Sequence, residues 1–213
     1  MDHSKSNTLN IINSYFNHNQ CPSNDNIKKG ILSSNAGGGA VRISLLFSDV
    51  QARVQWNCIT IMQCYFINNS AYYGGAVSYK ITKEADHTVA SNSVNFADCT
   101  WLKNKARTGS AVNLEAQPFP LGVAPYATFS DCLFLSNTNH YSKNASKPVG
   151  IGALYSDNIP VVFSGDCNFS NNKGTALTGS AAFFILANNS VTTFDKNFGN
   201  NGGAIALLEN TYL

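Results

Sequence analysis

One short phrase recurs along this chain and constrains its fold more than any other feature. It reads Cys-x-aromatic-x-x-Asn and is followed by Gly-small-Ala-aliphatic, and its clearest copies begin at Cys64 and Cys99. Further copies begin at Cys132 and Cys167, and two copies without the cysteine lie nearer the ends of the sequence. Such a repeated phrase is typical of solenoid proteins, in which each repeat folds into one structural unit. The cysteines are spaced 35, 33 and 35 residues apart, which is too uneven for helical repeats of fixed length.

The phrase predicts three short β-strands in every repeat. The alternation of Cys and aromatic sends both side chains to one face of a strand, and the Gly-small-Ala-aliphatic segment begins a second strand at a tight bend. A third strand precedes the next phrase, at 94–96, 127–129 and 161–163. Three strands joined by turns form one coil of a parallel β-helix. We therefore predict an all-β, right-handed parallel β-helix of about six coils, as a single domain over residues 1–213.

Stacked coils, about 4.8 Å apart, place equivalent side chains above one another in columns. The rings are predicted to form the core column, at Phe16, Phe66, Trp101, Phe134, Phe169 and Phe194. A column of amides is predicted at the turn after the first strand, at Asn19, Asn69, Asn104, Asn137, Asn172 and Asn197. Each amide would bond to the next, satisfy turn backbone groups and adopt the left-handed conformation that asparagine tolerates.

The six cysteines allow two interpretations. Cys64, Cys99, Cys132 and Cys167 share one inward column, where buried thiols acting as small hydrophobic groups are favoured over bridged pairs. Side chains stacked in register rarely reach the dihedral angle of a disulfide. Cys21 and Cys58 lie outside that column, and a disulfide between them would suit a secreted protein. No Cys-x-x-Cys occurs, which argues against a zinc site.

Composition excludes several classes of function. Charged residues make up 12% of the chain, the net charge is +2 and no basic cluster is present, so nucleic acid is not expected as a partner. The longest apolar run, 181–187, is far short of the roughly 20 residues that cross a bilayer, so membrane insertion is not expected in this segment. The 28 asparagines and the abundant glycine and serine favour turns and strands over helices.

An enzyme of the carbohydrate-active, polysaccharide-lyase type is the alternative function. Asp98, Asp131 and Asp166 each precede a cysteine and form a column that could hold calcium. The competing interpretation, which we favour, is that each aspartate bonds to its own turn. No lysine or arginine recurs beside them to act as a base, and no catalytic motif or metal-ligand spacing occurs elsewhere, so we predict a non-enzymatic protein without a bound cofactor.

Glycosylation and binding loops are the remaining candidates. Asn-x-Ser/Thr sequons occur at Asn68, Asn144, Asn168 and Asn188, and Asn168 is expected to point outwards because it lies between two inward residues. Insertions at 20–36 and 139–148 leave the coil at one turn, and a second set at 82–92 and 116–124 leaves after the second strand. Such loops gather on one face of a solenoid and are candidate binding elements, with mobile loops that bind nothing as the alternative.

The phrase also resembles a known family. Phe66 to Asn69 and Gly202 to Ile205 look like the repeat of the chlamydial polymorphic outer membrane proteins, and the phrasing at 98–101 and 109–112 is more similar still to large extracellular proteins of sponges and cnidarians. The resemblance spans about residues 10–210, although Ser14 and Thr192 replace the cysteine in the outer copies. It implies a surface-exposed right-handed β-helix, located outside the cell or on its surface.

We therefore expect an extracellular structural or adhesive rod. Both ends of the sequence stop within the pattern, so we expect a segment of a longer polypeptide or a chain that assembles end to end into a fibre or surface layer. Its expected partners are copies of itself or neighbouring coils, with glycans or matrix proteins as further candidates.

Overall fold

Twenty β-strands and no α-helix make up the part of the chain that the structure, a computed structural model, describes. The described residues are 5–21, 37–47, 55–83, 92–117, 125–139, 152–180, 184–199 and 203–207. No helix among them has the length and hydropathy needed to cross a membrane. The four predicted insertions lie almost wholly outside these residues.

Three six-stranded parallel sheets contain most of the strands. Sheet 1 contains β1 (Lys5–Ile12), β4 (Gln55–Met62), β7 (Asn92–Ala97), β11 (Tyr126–Ser130), β15 (Val161–Ser164) and β18 (Phe184–Leu186). Sheet 2 contains β2 (Tyr15–Asn17), β5 (Tyr65–Ile67), β8 (Thr100–Leu102), β12 (Leu133–Leu135), β16 (Asp166–Ser170) and β19 (Val191–Asp195). Sheet 3 contains β3 (Val41–Phe47), β6 (Val77–Lys83), β10 (Val112–Ala116), β14 (Leu154–Asp157), β17 (Leu177–Ser180) and β20 (Ile205–Leu207). A short pair, β9 (Lys105–Ala106) and β13 (Thr138–Asn139), lies between sheets 2 and 3.

The strand order confirms the predicted parallel β-helix. Each sheet takes one strand from every coil, and neighbouring strands in a sheet come from successive coils. The first coil consists of β1, β2 and β3, and the sixth consists of β18, β19 and β20. The pairing keeps the repeat in register, because Phe66 lies opposite Phe16 on one side and Trp101 on the other.

The interior is formed by the inward faces of all three sheets. Val77, Val112 and Leu154 of sheet 3 are buried against the core, as are Ile61 and Phe129 of sheet 1. A second aromatic column runs along sheet 1, where the rings of Phe96 and Phe129 stack with their centroids 4.7 Å apart. Burial of these apolar side chains supplies the main stabilisation of the coil stack.

The first glycine of the Gly-small-Ala phrase adopts a left-handed backbone. Gly74 has φ 58° and Gly109 has φ 55°. A Cβ atom at Gly74 would lie 2.0 Å from the carbonyl oxygen of Val77, so the bend excludes a side chain. This requirement explains why glycine begins the second strand of the repeat.

Candidate functional site

A column of asparagine amides follows the turn after sheet 2. The Oδ1 atom of Asn137 accepts hydrogen bonds from the backbone N–H and from Nδ2 of Asn104, both at 3.0 Å. Its Nδ2 atom donates to the carbonyl oxygen of Trp101 and to Oδ1 of Asn172, also at 3.0 Å. All four hydrogen-bonding sites of this buried amide are therefore satisfied.

The same pattern continues through the predicted amide column. The structure places in it Asn19, Asn69, Asn104, Asn137, Asn172 and Asn197. The prediction that the asparagines themselves adopt the left-handed conformation is wrong. That conformation lies at the residue before each asparagine, with φ between 49° and 56°, at His18, Asn68, Lys103, Ser136, Asn171 and Lys196. The reversal at that preceding residue turns each amide inwards, while the asparagine itself needs no unusual backbone.

The six predicted core rings stack along the interior of sheet 2. They are Phe16, Phe66, Trp101, Phe134, Phe169 and Phe194. The closest pair, Phe134 and Phe169, has ring centroids 4.3 Å apart and planes within 4° of parallel. The four internal rings are fully buried, whereas Phe16 and Phe194 are only partly covered.

All six cysteines are free thiols in this structure. Cys64, Cys99, Cys132 and Cys167 are buried in one column, and Cys99 Sγ donates to the carbonyl oxygen of Ala97 at 3.2 Å. Ser14 makes the equivalent bond to Ile12 at 2.9 Å, which explains why serine replaces cysteine in the first coil. The sixth coil differs, because Thr192 occupies the equivalent position and its enclosed hydroxyl has no hydrogen-bond partner among the described residues.

The suggested Cys21–Cys58 disulfide is wrong for this structure. Cys58 is exposed on the strand β4, whereas Cys21 lies beyond β2, where its backbone N–H bonds to Ser70. The two cysteines thus belong to different sides of the coil. Burial raises the pKa of Cys99 to about 12 and that of Cys132 well above its ordinary value, so these two thiols stay protonated near neutral pH.

The aspartates before the cysteines line the turn between sheets 1 and 2. Asp131 Oδ1 accepts the backbone N–H of Asp166 at 2.9 Å, and its Oδ2 accepts the Ser130 hydroxyl at 2.8 Å. These bonds lower the pKa of the Asp131 carboxyl. Asp131 therefore caps the turn of the next coil. Within the described ranges, no group of three or more His, Cys, Asp and Glu side chains is placed to hold a metal ion.

The sequons occupy different environments. Asn188 is exposed in the turn between β18 and β19, and Asn68 is half-buried in the turn after β5. Asn168 alternates with buried Cys167 and Phe169 and so faces outwards, but its Oδ1 atom is enclosed without a hydrogen-bond partner among the described residues. Asn144 lies outside the described residues.

A polar cluster on the outer face of sheet 3 was not identified from the sequence. Lys80 Nζ and Glu115 Oε1 form an ion pair at 2.6 Å, and Asp157 lies opposite Glu115 on the next strand. Burial raises the pKa of Asp157, and the negative charge of Glu115 raises it further, while Lys80 opposes the shift. We call Lys80, Asn113, Glu115 and Asp157, together with Tyr73 of the segment before β6, the sheet 3 cluster.

Aromatic residues and a buried amide adjoin these charges. Burial raises the pKa of Tyr73, and the charge of nearby Glu115 contributes to the rise. Arg107 lies over the ring of Tyr72, 5.3 Å from its centroid, and donates a hydrogen bond to the Tyr72 hydroxyl. Asn113 is 1% exposed, and its Oδ1 atom has no partner within the described part of the chain. The half-buried members of the cluster therefore offer both signs of charge and one aromatic ring, whereas Asn113 is closed off from solvent.

A positional signal for the charged residues was present in the repeat. Lys80, Glu115 and Asp157 each lie four residues after the alanine of the phrase, at Ala76, Ala111 and Ala153. Equal offsets fall on register positions that the coil stack aligns, and the strand pairing places Lys80 opposite Glu115 and Glu115 opposite Asp157. The patterns that predict the inward columns do not include this outward one.

The fold and the columns define a parallel β-helix with filled interior ladders. A scan against protein-family models and searches of curated proteins and of solved structures found no match to this chain.

Proposed function

We propose that this protein is an extracellular structural rod that adheres to partners through the sheet 3 cluster. The observation that carries the proposal is the amide column, whose coil-to-coil hydrogen bonds run through all six coils. Every rung joins two coils that are otherwise held by short strands and apolar contacts. A solenoid with such a column resists separation of its coils, which is the property that a load-bearing rod requires.

Adhesion is supported by the chemistry of the sheet 3 cluster. Glu115 and Asp157 supply acceptors, Lys80 supplies a donor and Tyr73 supplies an aromatic surface. Polyhydroxylated glycans and polar segments of matrix proteins match this combination of groups.

An extracellular location is supported by the exposed sequon at Asn188 and by the half-buried sequon at Asn68, both in turns. Attachment of a glycan at a turn leaves the sheets undisturbed. The resemblance of the repeat to surface proteins favours the same location.

Surface labelling tests the location. Intact source cells are treated with an impermeant amine-reactive label, and the recovered protein is weighed before and after glycosidase treatment. We expect labelling and a mass loss that maps to Asn188 or Asn68. Protein that is protected in intact cells and keeps its mass would contradict the extracellular assignment.

Adhesion is tested with beads that carry the chain, applied to surfaces of purified matrix proteins and of neutral oligosaccharides. We expect Glu115→Ala and Tyr73→Ala to reduce bead retention. Tyr65→Ala is the matched control, because Tyr65 is an exposed tyrosine on the outer face of sheet 2. Retention that is absent for the unmodified chain, or equal in all three variants, would contradict adhesion through the cluster.

A further inference from the structure

The two ends of the amide column have complementary unused hydrogen-bonding groups. In the first coil, Asn19 donates from its backbone N–H and its Nδ2 to Asn69, but its Oδ1 accepts no hydrogen bond among the described residues. In the sixth coil, Asn197 Nδ2 donates to the Phe169 carbonyl at 2.8 Å. Its second Nδ2 hydrogen and its backbone N–H have no partner in the described ranges. Asn19 therefore has an acceptor without donors, and Asn197 has donors without an acceptor.

Apolar side chains that are buried in internal coils are exposed on both end faces. Leu186 occupies the inward column of sheet 1 that contains Ile61 and Phe129, which are fully buried. Leu186 itself is 54% exposed, and Leu9, an inward residue of the first coil, is 43% exposed. A further coil against either face would remove these side chains from water.

We propose that the sixth coil of one chain stacks on the first coil of a second copy, head to tail. Asn197 of one copy donates from its backbone N–H and Nδ2 to Asn19 Oδ1 of the next, which reproduces the bonds of every internal rung. Asn19 Nδ2 of that copy then donates to the Phe194 carbonyl. This inference rests on the proposed function as a rod and names the partner that extends it.

The register of the internal coils can continue across this joint. It places Phe194 opposite Phe16, and Leu186 opposite Ile11, so the ring column and the sheet 1 column are unbroken. On the outer surface it places Asp195 opposite Asn17 and Lys196 opposite His18. Asp195 thus meets no second carboxylate there, and the edge strands gain the parallel partners that they lack among the described residues.

A second copy is the occupant that the geometry favours, because it supplies the missing acceptor, the missing donors and the matching apolar columns in one register. The contact is heterologous, since different faces meet. Repetition of the contact gives a filament whose axis runs along the direction of coil stacking. A partner of unrelated shape would satisfy the amides without continuing the columns.

Two end-blocked variants test the proposal in the full chain. Leu186→Lys places a charge on the sixth-coil face, and Leu9→Lys places one on the first-coil face. Both positions are exposed, and thermal unfolding of each variant reports whether the fold is retained. We expect the unmodified chain to show mass that rises with concentration in sedimentation velocity, and each variant alone to remain a monomer. An equimolar mixture is expected to give dimers and nothing longer, because only one pair of unblocked faces remains.

An unmodified chain that remains a monomer at every concentration would overturn the proposal. So would dimers of one variant by itself, because those would show that like faces meet. A folded variant that still forms long assemblies would likewise contradict stacking through the end faces. These results leave surface labelling and bead retention unaffected, so failure of head-to-tail stacking is distinguishable from failure of the proposed function.

Discussion

Asn104 donates a side-chain hydrogen bond of 3.0 Å to Asn137, although 33 residues separate the two in the sequence. The bond joins successive coils at the same turn, and its partners on both sides continue the column. Each internal amide uses all of its donors and acceptors within the protein, so a change in one rung leaves groups unpaired in both neighbouring coils.

Substitution of an internal rung is expected to destabilise the protein strongly. Asn137→Ala removes partners of Asn104, Asn172 and the Trp101 carbonyl, and all three of these residues are buried. We expect the free energy of unfolding to fall by at least about 3 kcal/mol in chemical denaturation. Asn137→Asp keeps the shape but removes both donors, and it should be destabilised at neutral pH as well. Asn10→Ala, at an exposed asparagine on β1, is the control and should change stability by less than about 0.5 kcal/mol.

Truncation of the central ring column is expected to create a cavity. Phe134 stacks between Trp101 at 4.5 Å and Phe169 at 4.3 Å, measured between ring centroids. We expect Phe134→Ala to lower the free energy of unfolding by about 3–5 kcal/mol. Tyr65→Ala removes an exposed ring outside the core and should cost much less. Similar losses in the two variants would show that the column is not the core of the solenoid.

A buried hydroxyl in sheet 3 is expected to reduce stability. Tyr79 is fully buried, and its hydroxyl has no hydrogen-bond partner among the described residues. Its column neighbours in adjacent coils are Ile43 and Leu114. Tyr79→Phe removes the unpaired group and should raise the free energy of unfolding by about 1 kcal/mol. Tyr65→Phe is the exposed control and should be neutral. A destabilised Tyr79→Phe would reveal a partner for the hydroxyl.

Thiol labelling is expected to distinguish exposed Cys58 from the four buried column cysteines. Cys58 is exposed, whereas burial raises the pKa of Cys99 to about 12 and keeps this thiol protonated and unreactive. With iodoacetamide at about pH 8, peptide mass spectrometry should show modification of Cys58 in the native protein and of the four column cysteines only after unfolding. Cys58→Ser should abolish its signal and leave the column unreactive. Rapid native labelling of Cys99 would contradict the buried column.

The Asp131 turn cap is expected to make the free energy of unfolding depend on pH in the acidic range. Its folded pKa is lowered from the ordinary value of 3.8 by the Asp166 N–H and then by the Ser130 hydroxyl. A lowered folded pKa gives stabilisation that is present above the ordinary pKa and is lost as pH falls through the folded pKa. Asp131→Asn keeps an acceptor but does not ionise in this range, so its unfolding free energy should fall less between about pH 5 and pH 2. Parallel pH profiles for the two proteins would contradict the assignment.

The inward columns were predictable because their residues occupy the same position in every copy of the repeated phrase. Phe66 and Trp101 have the same offset from Cys64 and Cys99, and stacking in register converts equal offsets into contact. The left-handed residue was not predictable in the same way, because His18, Lys103 and Ser136 share no side-chain chemistry. Only their common backbone position, one residue before the amide, unites them.

The sequence by itself determined the parallel β-helix, because period-2 alternation and a recurring phrase leave few other ways to bury these rings. The tertiary structure decided which groups meet across coils and which remain unpaired. The pairing of Lys80 with Glu115 and the unused groups of Asn19 and Asn197 depend on side-chain distances between residues far apart in the chain. Those distances arise from the stacking of coils, which no single repeat specifies.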